Sequence, residues 1–225
     1  MGSWSSRQLA AIGAVVAVVI MLVGFLMPGS PPHFNADTLK IVAFFHDKHK
    51  KLLVSTVLIE IGAAILVYLI AQLAMSLRAM GMHAHGAIIG IAGAAAVGAF
   101  AVGDGLMGGL AQLSTFGTYD QAAVSPLYRL VQFVFIGFAW MFFVVALTTA
   151  HAAWKGGIQW VAALNGIIAV LALLTGISVK AQGPFAAGTG ALSLIGSFAF
   201  LVWILHLAVM FWRGQEAPAA AMAHG

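Results

Sequence analysis

The chain has 225 residues, of which 62% are hydrophobic and 7% charged, with a mean hydropathy of +1.04 and a formal charge of +4. A soluble domain carries roughly a quarter charged residues, so this composition excludes a water-covered globule. The absence of Cys excludes disulfides, thiolate metal sites and cysteine nucleophiles. Lys and Arg number 10 against 6 Asp and Glu, a surplus suited to helix ends facing anionic headgroups and without the aromatic-interleaved basic patch of a nucleic-acid surface. Membrane lipids are therefore expected partners, and nucleic acid is not.

The apolar residues fall into six blocks of about bilayer length, which predicts an all-α, polytopic transmembrane bundle formed by residues 1–213 as one domain. The first block, 9–27, is longer than the core of a secretory leader and lacks a small-x-small cleavage pattern, so it reads as a retained span. The polar connection that follows holds Asn35 and Asp37 as candidate caps. Beyond them Leu39, Val42 and Phe45 share one helical face, so the segment near 35–50 is expected to be amphipathic and interfacial, the alternative being simply the approach to the second span. The second span is expected at 52–73 and the third at 86–112. The third carries Gly86, Gly90, Gly93, Gly98, Gly103, Gly105, Gly108 and Gly109, a spacing that lets a neighbouring backbone come close and predicts a central position. The fourth span follows Pro126 at 127–149. Trp154 and Trp160 flank the next boundary, and the fifth and sixth spans are expected at 157–176 and 190–211. The Ala-rich tail, 214–225, reads as disordered.

With six spans, both termini share one membrane face, here side B; the loops after spans one, three and five lie on side A. Lys40, Lys48, Lys50, Lys51, Arg129 and Lys180 tilt the basic count slightly towards a cytoplasmic side A. Glu60 and Asp104 are the two acids inside otherwise apolar spans, and both lie about 12 Å from side A at 1.5 Å per residue. Asn165 lies about 16 Å deep by the same measure. Gln132, Ser193 and Ser197 come from the same half of the membrane, and Arg129 begins span four there. A lone charge near the bilayer centre costs at least about 2.5 kcal/mol, so Glu60, Asp104, Asn165, Ser197, Gln132 and Arg129 form the candidate polar site. Its alternative role is internal hydrogen-bonded glue.

On side B, His83, His85, His151 and His206 form a weaker constellation spread over three helix ends. Only His206 is embedded, so neither metal nor haem is expected. His46, His49 and Asp47 sit beside Lys48, Lys50 and Lys51, surroundings that suit solvated interfacial groups. There is no HExxH, GxSxG or GxxxxGK[ST] motif, and no cofactor or catalytic residue is assigned. The leading expectation is a protein that handles an ion, proton or small molecule through the acidic site. The alternatives are an accessory subunit of a membrane complex, docking a membrane-protein partner through span three or through the surface segment after span one, and a membrane enzyme acting on a lipid-soluble substrate. The pattern is broadly similar to small multi-spanning membrane proteins of bacteria, which makes a bacterial inner membrane the expected location and carries no activity.

Overall fold

The computed structural model describes residues 5–116, 121–179, 183–186 and 190–214, so residues 215–225 of the tail fall outside the described residues. Six helices follow in order: α1 Ser6–Leu26, α2 Thr38–Ala79, α3 His83–Leu113, α4 Gln121–Lys155, α5 Gln159–Gly176 and α6 Ala191–Arg213. Each is long and apolar enough to cross a bilayer, so the chain is an all-α, multi-pass membrane bundle in contact with lipid.

Local chemistry sets the helix ends. α1 starts three residues before its apolar block because Ser5 and Gln8 form a reciprocal capping box: the Gln8 amide donates to Ser5 Oγ and the Ser5 amide to Gln8 Oε1. On side B, α2–α3 and α4–α5 are joined by turns of one design. Gly81 (φ 78°) and Gly157 (φ 75°) adopt the left-handed conformation. The next amides, of Met82 and Ile158, reach back to the Leu77 and Ala153 carbonyls at 2.9 Å. These are Schellman closures, which reverse the chain in three residues and keep successive helices antiparallel and adjacent.

Each helix packs on its sequence neighbours, and α1 also packs on α6, so the six close into a ring. Glycines set several of the close approaches. A Cβ at Gly86 would sit 2.6 Å from the Ala74 carbonyl oxygen, and one at Gly93 would sit 2.5 Å from Ile70. Gly103 and Gly108 make room in the same way for Phe135 and Thr56. Gly98 and Gly109, by contrast, face open space. α3 is thus one wall of the ring, and α6, not α3, buries the largest share of its span.

The helices are unequal. α2 has 42 residues, about 63 Å at 1.5 Å per residue, and α3 and α4 have 31 and 35. Their side B ends are tied by short turns, and α1 already ends opposite Ser55 and Ile59 of α2, so the excess length of α2, α3 and α4 projects on side A. Residues 38–50 are the first turns of α2, continuous with the span. Asp37 occupies the N-cap position without a side-chain cap hydrogen bond. Ile41 and Phe45 are fully buried against Leu110, Ala111, Val124 and Tyr128, a second small core beyond the main one. α4 likewise begins at Gln121, before Pro126, because it has this core to pack against. The connection between α1 and α2 runs along α4, held by the Tyr128 hydroxyl donating to the Pro32 carbonyl and by a Phe34–Phe133 edge contact with ring centroids 5.7 Å apart.

Candidate functional site

The ring of helices encloses a cavity of about 690 Å³, within the range of small-molecule sites. It lies in the side A half, and its rim includes Ser30, Pro31 and His33 of the α1–α2 connection and Gly190 before α6. Most of its lining is apolar and aromatic. Phe100 of α3, Phe138 and Phe142 of α4 and Phe200 of α6 form one cluster. Ring centroids are 5.2 Å apart for Phe100–Phe138, 5.0 Å for Phe138–Phe200 and 5.1 Å for Phe142–Phe200, the last two edge-on. Phe138 and Phe142 are parallel with centroids 5.8 Å apart, so the cluster combines stacked, tilted and edge-to-face pairs, the arrangements aromatic rings prefer.

Asp104 is the carboxylate on this wall. It is 6% exposed, lies one helical turn beyond Phe100 on the same face of α3, and its Oδ2 has no hydrogen-bond partner among the described residues. Thr56 of α2 donates to the Asp104 main-chain carbonyl at 3.4 Å, so that hydroxyl ties the helices together at the height of the acid. Gln132 of α4 and Ser193 and Ser197 of α6 line the same cavity, with Ser55, Thr56 and Thr175. The two α6 serines donate to carbonyls, Ser193 to Ala186 at 3.4 Å and Ser197 to Ser193 at 3.0 Å. Ser55 donates to the Gly24 carbonyl at 2.8 Å, pinning α1 to α2.

The remaining residues of the expected site lie elsewhere. Glu60 is half-buried on the outer seam between α2 and α3, where its Oε1 lies 3.8 Å from the point at which a Gly105 side chain would begin. It does not line the cavity, yet it is within electrostatic reach of Asp104 through the helix wall. Arg129 is exposed, and its Nε donates to the Phe34 carbonyl at 3.2 Å, so it fastens the α1–α2 connection. Asn165 is fully buried between α5 and α6. Its Oδ1 accepts from Trp203 Nε1 at 3.0 Å, and its Nδ2 donates to the Val161 carbonyl at 2.9 Å and to His206 Nε2 at 3.1 Å. That set of bonds assigns His206 the Nδ1-protonated tautomer and leaves the imidazole, edge-on to Trp160 with centroids 5.2 Å apart, as packing rather than part of the cavity.

The side B histidines separate. His85 Nε2 and His151 Nδ1 pair at 3.2 Å, His83 is exposed, and His206 belongs with Asn165. Among the described residues no group of three or more His, Asp or Glu is placed to hold a metal ion. The aromatic half of the cavity is not among the residues that the sequence singles out. Its signal was the helical spacing of Phe100 with Asp104, Phe138 with Phe142, and Phe200 with Trp203, which in an apolar chain looks like ordinary core.

No protein-family model matches the chain, and neither a curated protein nor a solved structure matches it.

Proposed function

We propose that this membrane protein handles a small lipid-soluble molecule, as a transporter-like or receptor-like binder, through the cavity enclosed by its six helices. One observation carries the reading: a cavity of about 690 Å³ at membrane depth, on whose wall sits a buried carboxylate with one oxygen, Asp104 Oδ2, lacking a hydrogen-bond partner among the described residues. A purely structural acid would be expected to spend both oxygens on donors from neighbouring helices, because an unsatisfied buried charged group costs several kcal/mol at about membrane polarity. Rigid aromatic walls with a few polar groups are the usual composition of a small-molecule site.

The test is occupancy of the cavity. The neutral fluorophore N-phenyl-1-naphthylamine should bind the purified protein saturably, with Trp fluorescence transferred to it. Ala139→Phe, which puts a ring into the cavity from a buried lining position, should abolish that signal. Val57→Phe, on the lipid-exposed side of α2, should leave it unchanged. Absence of saturable binding, or binding indifferent to Ala139→Phe, would defeat the proposal.

A further inference from the structure

We infer that the molecule the cavity takes is a lipophilic organic cation, seated with its positive charge between the Asp104 carboxylate and the rings of Phe100, Phe138 and Phe200. This rests on the small-molecule reading above and names the chemical class.

The described lining of the cavity contains no Lys or Arg. Its titratable groups are Asp104, deep on the α3 wall, and His33 at the rim. Glu60, behind that wall and within electrostatic reach of Asp104, adds negative potential of the same sign. An anion would therefore meet repulsion without a compensating cation, and in a low-dielectric surround that repulsion is weakly screened. A neutral ligand would leave Asp104 Oδ2 as unpartnered as it is now unless it carried a donor. A positive ligand lets the carboxylate stay ionised, since it supplies the counter-charge whose absence a buried acid otherwise answers by taking up a proton.

The walls decide which kind of cation. Small inorganic ions such as Ca²⁺ take six to eight oxygen ligands, and Mg²⁺ gives up its water reluctantly. One carboxylate facing a cluster of Phe rings does not replace that shell. An organic ammonium or phosphonium is weakly hydrated, fills apolar volume, and is attracted to the faces of aromatic rings as well as to the carboxylate. Phe100 and Asp104 stand one turn apart on one face of α3, and Phe138 and Phe200 pack on Phe100 with centroids 5.2 and 5.9 Å away, so these rings and the carboxylate border the same volume. Gln132 of α4 and Ser193 and Ser197 of α6 are available to orient a polar substituent.

The experiment compares three probes of similar shape and different charge on the full chain in nanodiscs: tetraphenylphosphonium, neutral triphenylmethane and tetraphenylborate. Saturable binding of tetraphenylphosphonium, weakened about tenfold or more by Asp104→Asn, restored towards wild type by Asp104→Glu and not shared by tetraphenylborate, is the expected result. Glu60→Gln should weaken it by about twofold, because that carboxylate acts through the wall. Size-exclusion profiles and thermal unfolding identify any variant that fails to fold, and the comparison of cation with anion on the unmodified protein stands without variants. Saturable binding of triphenylmethane that equals or exceeds that of the phosphonium, or phosphonium binding unchanged in Asp104→Asn, overturns the cation inference and leaves the cavity reading intact. If no probe binds saturably and Ala139→Phe alters nothing, the cavity reading itself falls, and the inference with it.

Discussion

Asn165 uses both ends of its side chain: a carbonyl oxygen that accepts from Trp203, and an amide that donates to Val161 and His206. Removing it strands a buried indole N–H and a buried imidazole nitrogen together. Interhelical hydrogen bonds in membranes average well under about 1 kcal/mol each, but unsatisfied buried groups cost more than the bonds themselves contribute. Asn165→Leu should therefore destabilise the bundle by about 2 kcal/mol in an SDS or thermal unfolding titration, against less than about 0.5 kcal/mol for Ser197→Ala, whose hydroxyl only returns to its own helix. A loss for Asn165→Leu no larger than that for Ser197→Ala would show that the network is not a strut. Depth along the helix was legible at this scale, since Glu60 Oε1 lies beside Gly105, the residue next to Asp104 on α3. Direction around the helix was not. In lipid both faces of a span are apolar, so the contrast that marks a buried stripe in a soluble helix is weak. Nothing in the sequence could separate Asp104, which faces the cavity, from Glu60, which faces the seam, or turn Asn165 away from both.

Among the elements, α3 shows how uneven a glycine-rich helix is. Its small residues signalled close packing in the sequence, but they serve different faces. Gly86 must stay small because the backbone of α2 lies against it, the Ala74 carbonyl oxygen being 2.6 Å from a Cβ built there, whereas Gly98 has nothing within 4 Å. Gly86→Ala should cost about 2 kcal/mol through separation of α2 from α3. Gly98→Ala should be neutral or stabilising by up to about 1 kcal/mol, from helix propensity. Equal effects of the two in an unfolding titration would contradict this division of the helix. The projecting part of α2 poses a different question, because α1 ends opposite Ser55 and does not extend beside it. Phe45 packs edge-on to Tyr128 with centroids 5.8 Å apart and is fully buried in the small side A core. Phe45→Ala should remove about 3 kcal/mol locally and open the first turns of α2, so that trypsin cuts at Lys40 and Lys48 in nanodiscs while the spans stay intact. Resistance equal to wild type would mean that the projection is held by something other than this core. The apolar spacing of Leu39, Val42 and Phe45 marked a helix here. What the sequence left open was whether this helix lies on the surface or leads straight into the span, because Lys48, Lys50 and Lys51 interrupt the apolar run and the partner surface is contributed by α3 and α4.

For the molecule as a whole, ring closure by α1 against α6 makes the cavity a property of all six helices rather than of any pair. Its access is asymmetric. On side B, three-residue Schellman turns draw α2 to α3 and α4 to α5, and below the cavity Trp203, Ile204 and Leu207 of α6 are buried in the main core. On side A, α1 and α5 stop short while α2, α3 and α4 continue, and the rim is built from the α1–α2 connection. A water-soluble reagent should therefore reach the cavity from side A and not from side B. The chain has no native Cys, so single-cysteine labelling reads this without background. His33→Cys at the rim and Ser193→Cys in the cavity should react with a membrane-impermeant maleimide only from side A of oriented proteoliposomes. His151→Cys, exposed at the side B end of α4, should react only from the opposite face. Reaction of Ser193→Cys from side B at a rate matching His33→Cys from side A would mean that the cavity passes through the bundle, and the asymmetry drawn from helix length would have to be abandoned.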